Sequence, residues 1–168
     1  MKDELIIATC QFPVSGDIKK NASYILKQMA QAKQKGADVS HFPESSLSGY
    51  AGTDFKRYKR QDEALRLGSL EKIIQFSCEL KIWLIVGSHH FDKNNHLPYN
   101  CLWLIDNCGK IIKRYDKRFC TGKEGELEHA YYKPGQKGVK FKIKVFTCCV
   151  IICHEWLYPE LYREQKQR

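Results

Sequence analysis

The feature that most restricts the fold of this chain is the alternation of short apolar runs with amphipathic helical segments. Residues 4–10, ELIIATC, are rich in strand-forming side chains, and residues 37–42, ADVSHF, form a second run of this kind. Between them, apolar residues recur at helical spacing and are followed by a glycine suited to cap a helix: Ile18, Ala22, Ile25, Met29 and Ala32, then Gly36. This spacing predicts a helix between two strands.

The middle of the chain continues the same pattern. Residues 63–80 place apolar side chains at helical spacing, and residues 82–87, IWLIVG, predict a buried strand. The segments YNCLWLID and KIIKRYDK are joined by a DNCG turn, which predicts a β-hairpin.

The last third of the chain adds two predicted strands. Residues 139–146 alternate apolar residues with Lys140, Lys142 and Lys144, a pattern typical of a half-buried strand with one solvated face. Residues 147–153, TCCVIIC, are almost continuously apolar and predict a strand that is buried on both sides. Alternating strands and helices of this kind predict an α/β layered domain.

The composition indicates one globular domain covering residues 1–168. The hydrophobic fraction is 43%, and no apolar run approaches the roughly 18 residues that span a bilayer. The chain opens without a secretory signal and places most of its 8 cysteines in apolar runs, so we expect a soluble, cytoplasmic protein with reduced thiols. The net charge of +9 is scattered over short basic runs, which predicts neither a nucleic-acid partner nor a membrane partner.

Three residues at predicted strand ends could together carry out a reaction. Glu44 directly follows the second strand, Lys117 closes the hairpin, and Cys153 ends the last apolar run. A cysteine thiol needs a base to become the attacking thiolate, and attack on a carbonyl or nitrile carbon builds negative charge that a fixed cation stabilises. Each residue alone is ordinary, but the set supplies a base, a cation and a nucleophile.

The chain resembles the nitrilase superfamily, also called the carbon-nitrogen hydrolases, along its whole length. The resemblance is carried, in the order of the family, by the segments IATCQFPVSGDIKKNASYI, GADVSHFPESSLSGY, YNCLWLIDNCGKIIKRYDKR, EHAYYKPG and VIICHEWLYPELYR. It implies an α-β-β-α sandwich, of which this chain would form the N-terminal part. It also implies a homodimer or larger homo-oligomer.

The resemblance assigns roles to individual residues. The catalytic triad of the family falls on Glu44, Lys117 and Cys153, and its second glutamate falls on Glu128, with Glu124 and Glu126 as open alternatives in the same loop. The backbone N–H of His154 would be an oxyanion donor in substrate binding. Glu155 and Arg163 match family positions for which we expect structural salt bridges.

The implied reaction is hydrolysis of a small-molecule amide or N-carbamoyl compound, or less favourably a nitrile. Glu44 takes the proton of Cys153, the thiolate attacks, and Lys117 stabilises the oxyanion. Ammonia or an amine leaves, and water then hydrolyses the thioester. No metal and no organic cofactor are required. Lys117 should lower the pKa of the thiol and an ionised Glu44 should raise it, so the sequence leaves the sign of the shift open.

Other interpretations remain open. The final helical segment has no terminating motif, so the domain is expected to be incomplete at its C-terminus and the isolated chain to be poorly active. A non-catalytic chain that acts only by association is therefore the main alternative. A thiol enzyme that uses a histidine such as His154, and a zinc site formed by Cys148, Cys149, Cys153 and His154, are less favoured because the spacing fits neither.

Overall fold

Two β-sheets and three α-helices make up the computed structural model, which describes residues 4–92 and 96–167. The strands are β1 Ile7–Thr9, β2 Val39–His41, β3 Trp83–His90, β4 Tyr99–Ile105, β5 Ile111–Asp116, β6 Lys140–Ile143 and β7 Phe146–Cys149. The helices are α1 Ile18–Gln34, α2 Arg60–Leu80 and α3 Pro159–Gln167. Within the described ranges, no helix is long and apolar enough to cross a membrane.

The larger sheet has the strand order β1-β2-β3-β4-β5. Its first three strands are parallel, whereas β4 is antiparallel to both β3 and β5. The carboxyl ends of β2, β3 and β5 therefore lie at the same edge of the sheet as the start of β4. Side chains from four separate stretches of sequence can meet at this edge.

Each face of the larger sheet is covered by a different layer. Helices α1 and α2 pack on one face through side chains such as Ile25, Met29 and Ile73, which are fully buried. The β6–β7 hairpin covers the other face, where Phe141 and Ile143 join the second apolar cluster. The described chain thus has a helix layer, a central sheet and a second sheet, which confirms the predicted α/β layered architecture.

Helix α1 ends shortly before the predicted glycine, and it begins at a side-chain cap that the sequence patterns did not identify. The side chain of Asp17 caps the first turn by accepting a hydrogen bond of 3.0 Å from the backbone N–H of Lys20. Gly36 follows the helix with φ +78°, a left-handed conformation that glycine adopts without strain.

The prediction of a single strand over residues 139–146 is wrong. Lys144 has φ +54°, and the turn there divides the segment into β6 and β7, which pair with each other. The turn is fixed by its lysine, because Nζ of Lys144 lies 2.6 Å from Oδ2 of Asp38 and donates to the carbonyl of Glu4 at 3.0 Å. Because apolar and charged residues alternate through the turn, the sequence pattern did not indicate it.

The prediction that residues 147–153 form a strand buried on both sides is also wrong. Strand β7 ends at Cys149, and Thr147 and Cys149 are exposed. Within the described chain β7 pairs only with β6, so it lies at the edge of its two-stranded sheet.

Strand β3 contains a glycine because the turn after β2 lies directly upon it. A Cβ atom at Gly87 would overlap the carbonyl oxygen of Pro43 and lie 2.5 Å from the backbone nitrogen of Ser45. The contact is fixed by hydrogen bonds, since the backbone N–H of Gly87 donates to Oγ of Ser46 at 3.1 Å. Gly87 therefore allows the segment after β2 to cross β3 towards β4 and β5.

We expect the Gly87→Ala substitution to destabilise the protein by about 2–3 kcal/mol, because the methyl group would displace backbone atoms that cannot move aside. The matched control is Gly68→Ala in α2, where a Cβ atom meets nothing within 4 Å. Because alanine favours a helix over glycine, the control should be unchanged or up to about 1 kcal/mol more stable. Urea unfolding measures both values, and equal effects of the two substitutions would contradict the close approach.

Candidate active site

The candidate active site is centred on the ammonium group of Lys117, which lies between two carboxylates. Nζ of Lys117 is 2.8 Å from Oε1 of Glu44 and 2.7 and 2.9 Å from the two carboxylate oxygens of Glu128. Lys117 is 1% exposed and Glu128 is 2% exposed. A charge removed from water in this way requires partners of opposite sign. The structure thus brings together three predicted site residues, of which Glu44 is 73 residues from Lys117 in sequence.

The charges of Lys117 and Glu128 stabilise one another. Burial alone would lower the pKa of the ammonium, but the facing carboxylates of Glu44 and Glu128 hold it above its ordinary value. Burial alone would raise the pKa of Glu128, but hydrogen bonds from Lys117 and from the backbone of Thr121 hold it below its ordinary value. Both groups are therefore charged at neutral pH.

The three glutamates of the loop after Lys117 occupy different environments. Glu128 lies in a short 3-10 turn, Leu127–Ala130, and its Oε2 accepts hydrogen bonds of 2.8 and 3.0 Å from the backbone N–H and hydroxyl of Thr121. Glu124 and Glu126 are exposed. Glu128 is thus the residue of this group that reaches the Lys117 ammonium.

Glu44 reaches the site from the turn that crosses β3. The next residue, Ser45, has φ +54° although it carries a side chain, and it is fully buried. Such backbone strain persists where the surrounding packing enforces it, and it is concentrated at functional sites. In this position the Glu44 side chain contacts Lys117 and is still 17% exposed to solvent.

Asn100 is a site residue that the sequence patterns did not reveal. It lies near the start of β4, is 1% exposed, and donates from Nδ2 to Oε1 of Glu44 at 2.6 Å and to Oε1 of Glu128 at 3.4 Å. The available signal was a single polar residue at the start of a buried apolar strand. Thr121 was missed as well, because it follows the hairpin in a stretch without regular spacing.

Cys153 lies beside this cluster in a strained conformation. It opens a 3-10 turn, Cys153–Leu157, and has φ +47°. Cys153 and Glu44 line one cavity of about 350 Å³, whose other walls include Phe42 and Leu102. Cys153 and the Glu44 carboxylate thus lie at the same opening.

The structure settles the sign of the thiol pKa shift. Partial removal from water raises the pKa of the Cys153 thiol above its ordinary value, and the Glu44 carboxylate raises it further as a charge and as a hydrogen-bond acceptor. Lys117 and the backbone N–H of His154 oppose this shift without reversing it. The resting group is therefore a neutral thiol at neutral pH.

Glu155 holds the Cys153 turn against the end of β5, but not through the expected salt bridge. Its carboxylate is buried and accepts hydrogen bonds from the hydroxyl of Tyr115 at 2.8 Å and from the backbone N–H groups of Ile152 at 2.6 Å and Arg118 at 2.7 Å. These contacts position Cys153 relative to Lys117, which follows Tyr115 by two residues.

The salt bridge expected for Arg163 is also absent from the described residues, in which Arg163 is exposed. The ion pair of this helix joins Arg118 to Glu164 instead, with 2.8 Å between Nη2 and Oε2.

Neither alternative thiol site is assembled around His154 in the described chain, although another histidine, His41, lines the same cavity as Cys153. The imidazole of His154 contacts its own turn, with Nε2 2.9 Å from the hydroxyl of Tyr158. In residues 4–92 and 96–167, no three histidine, cysteine or acidic side chains are grouped as metal ligands.

The sequence is similar to a known protein family and to curated proteins. The family described as carbon-nitrogen hydrolase matches residues 6–168, and the chain belongs to this family. N-carbamoylputrescine amidase of Arabidopsis thaliana is 26% identical over 95% of this chain and 54% of its own length. 2-oxoglutaramate amidase of Bacillus subtilis is 26% identical over 94% of this chain and 59% of its own length. The chain thus spans little more than half of these relatives.

Solved structures show the same fold. An amidase from Nesterenkonia sp. superposes with a TM-score of 0.81 at 19% identity, over 95% of this chain and 59% of the amidase. The glutamine-dependent NAD+ synthetase of Acinetobacter baumannii superposes with a TM-score of 0.78 at 23% identity, over 97% of this chain and 30% of the synthetase. These similarities confirm the predicted nitrilase-like α/β fold.

We expect the Glu128→Gln substitution to destabilise the protein by about 3 kcal/mol at neutral pH, because it removes one of the two anions facing a buried ammonium. The folded state lowers the pKa of Glu128. Its contribution to stability is therefore complete above the unfolded value of about 4.3 and is lost as the pH falls through the folded value. As the pH falls, the free energy of unfolding of the Glu128→Gln variant should therefore decrease less than that of the wild-type protein.

Urea unfolding at neutral pH and in acid measures both effects. The matched control is Glu126→Gln, which changes an exposed glutamate of the same loop and should alter the free energy of unfolding by less than about 0.5 kcal/mol. Equal losses in the two variants would show that Glu128 does not stabilise the Lys117 ammonium.

Proposed function

We propose that the protein hydrolyses the carbon-nitrogen bond of a small non-peptide amide or N-carbamoyl compound, with Cys153 as the nucleophile. The observation that carries this proposal is the buried Lys117 ammonium, bonded to both Glu44 and Glu128, next to the cavity that Cys153 shares with Glu44. A base and a thiol at one opening, with a cation bonded to the base, are the groups that acyl transfer through a thioester requires.

The first half of the reaction forms the thioester. Glu44 takes the proton of the Cys153 thiol as the sulfur attacks the carbonyl carbon, and the carbonyl oxygen becomes an oxyanion. Lys117 and the backbone N–H of His154 stabilise this charge. The protonated Glu44 returns the proton to the nitrogen as the carbon-nitrogen bond breaks, and ammonia or an amine leaves.

The second half releases the acid. Water enters as the leaving group departs, Glu44 takes a proton from it, and the resulting hydroxide attacks the thioester. The carbon-sulfur bond breaks, and the thiol regains its proton from Glu44. Glu128 holds the Lys117 ammonium in place through both halves and stays ionised, which its lowered pKa supports.

The raised pKa of the Cys153 thiol supports the role of Glu44 as a base. A thiol that ionised spontaneously at neutral pH would need no proton acceptor, whereas a neutral thiol does. The carboxylate that keeps the thiol neutral is also the group placed to receive its proton.

The relatives support the type of nucleophile and the substrate class. In one solved structure of the amidase from Nesterenkonia sp. AN1, acrylamide has undergone Michael addition at the active-site cysteine. The curated relatives include an N-carbamoylputrescine amidase and a 2-oxoglutaramate amidase. These names favour an amide or carbamoyl substrate over a nitrile.

We also propose that the protein is a cytoplasmic homo-oligomer. All 8 cysteines are unpaired, as expected in a reducing compartment. Large apolar side chains are exposed around the Cys153 turn and the following helix, namely Trp156 at 64%, Leu157 at 52% and Tyr162 at 51%. Such a patch supports association between copies of the chain.

We expect ammonia release from primary amides or N-carbamoyl amines to depend on Cys153 and Glu44. The substitutions Cys153→Ser and Glu44→Gln should each lower kcat/KM at least ~10³-fold, because groups that act as a unit fail together. A coupled ammonia assay over a panel of amides, carbamoyl compounds and nitriles measures these values.

The matched control is Cys149→Ala, which removes an exposed thiol four residues before Cys153 and should leave kcat/KM unchanged. Ammonia release that persists after Cys153→Ser, or that is found with nitriles alone, would contradict the proposed reaction. Circular dichroism of each variant separates loss of the fold from loss of the chemistry.

A further inference from the structure

We propose that Asn100 is a positioning residue that fixes which oxygen of Glu44 accepts the proton of Cys153. The inference rests on the proposed function, because it assigns the base within that reaction to a single atom, Oε2 of Glu44. It concerns a residue that lies within one of the family segments without being given a role there, and that the three-residue reaction scheme does not include.

The two oxygens of the Glu44 carboxylate have different surroundings. Oε1 accepts hydrogen bonds from Nδ2 of Asn100 at 2.6 Å and from Nζ of Lys117 at 2.8 Å. In the described part of the chain, no N–H or O–H donor bonds to Oε2, and the further donor that this carboxylate meets is the thiol of Cys153. Two short bonds occupy the acceptor directions of Oε1, so Oε2 is the oxygen available to a proton from the cavity.

Asn100 is held firmly enough to act as a fixed point. It lies in β4 opposite His89 of β3, is 1% exposed, and its backbone carbonyl accepts a hydrogen bond of 2.8 Å from the backbone N–H of Lys117. The same residue thus holds Lys117 through its main chain and Glu44 through its side chain. A movement of Lys117 relative to Glu44 would therefore break one of their hydrogen bonds to Asn100.

The orientation of the Asn100 amide follows from its neighbours. Nδ2 faces Oε1 of Glu44 and, at 3.4 Å, Oε1 of Glu128, and ionised carboxylates can only accept hydrogen bonds. Oδ1 is buried and has no hydrogen-bond partner among the described residues. An unpaired buried acceptor costs about 1–3 kcal/mol, so the amide is disadvantageous for stability at this position. An amide is favoured here because Nδ2 donates a short hydrogen bond to the Glu44 carboxylate.

Loss of this bond would release the carboxylate. With Lys117 as the remaining donor, Glu44 could turn and offer both oxygens to the ammonium, as Glu128 already does with bonds of 2.7 and 2.9 Å. Oε2 would then leave the thiol. A neutral amide prevents this rotation without adding a second cation that would compete with Lys117.

The test compares Asn100→Ala with Asn107→Ala, which changes an exposed asparagine in the turn between β4 and β5. We expect Asn100→Ala to lower kcat for amide hydrolysis about 100-fold with little change in KM, because Glu44 would no longer be held where it acts as the general base. The Asn107→Ala control should match the wild-type protein. Unchanged kcat in Asn100→Ala would overturn the proposal and leave the proposed hydrolysis intact.

A second measurement does not need turnover. Iodoacetamide alkylates thiolates, and mass spectrometry of the digested protein reports the rate at each cysteine. Removing the Glu44 charge by Glu44→Gln should speed alkylation of Cys153, because the nearby carboxylate opposes ionisation of the thiol. Asn100→Ala should also speed alkylation of Cys153, but by a smaller factor than Glu44→Gln does.

Cys10 and Cys101 are internal controls, because both are buried in the folded protein. Their alkylation should stay slow in Asn100→Ala. If Cys101 becomes as reactive as Cys153, Asn100 maintains the fold and not the carboxylate, and the proposal is overturned. If the Cys153 rate shifts as expected while no variant hydrolyses an amide, the positioning role stands and the proposed function fails.

Discussion

The ammonium of Lys117 is removed from water, and the rest of the site is arranged around the need to neutralise it. Two carboxylates from different segments supply that charge, Glu44 from the turn after β2 and Glu128 from the loop after β5. Breaking a buried pair of this kind leaves an uncompensated charge at a large free-energy cost. The ion cluster therefore holds together stretches of chain that share no regular secondary structure.

The backbone near this cluster is strained where the reacting groups emerge. Ser45 follows Glu44 with φ +54°, and Cys153 itself has φ +47°. Neither residue is a glycine, so both conformations depend on surrounding contacts: Gly87 leaves room for the first, and the buried carboxylate of Glu155 anchors the second. Strain held in this way at a cavity is typical of functional sites and is offset by stable packing elsewhere.

Much of the fold could be predicted from the sequence, because periodicity is a local signal. Helix α1 matches its spacing of apolar residues, and Glu44 and Lys117 became candidate site residues because they follow predicted strands. The turn at Lys144 was missed because alternation continues through it. Asn100 escaped prediction because one polar residue in an apolar strand carries no spacing, and its role depends on contacts between strands. The resemblance assigned Glu128 and left Glu124 and Glu126 open, and only tertiary burial distinguishes Glu128 from these two.

The account depends most directly on a covalent bond between substrate and Cys153. The decisive measurement is mass spectrometry of the protein after incubation with a reactive small amide and rapid quenching in acid, followed by digestion. The account predicts a mass increase equal to the acyl group on the peptide that contains Cys153, removed by hydroxylamine as expected for a thioester. An acyl group on another cysteine, or amide hydrolysis with no acyl group on Cys153, would contradict it.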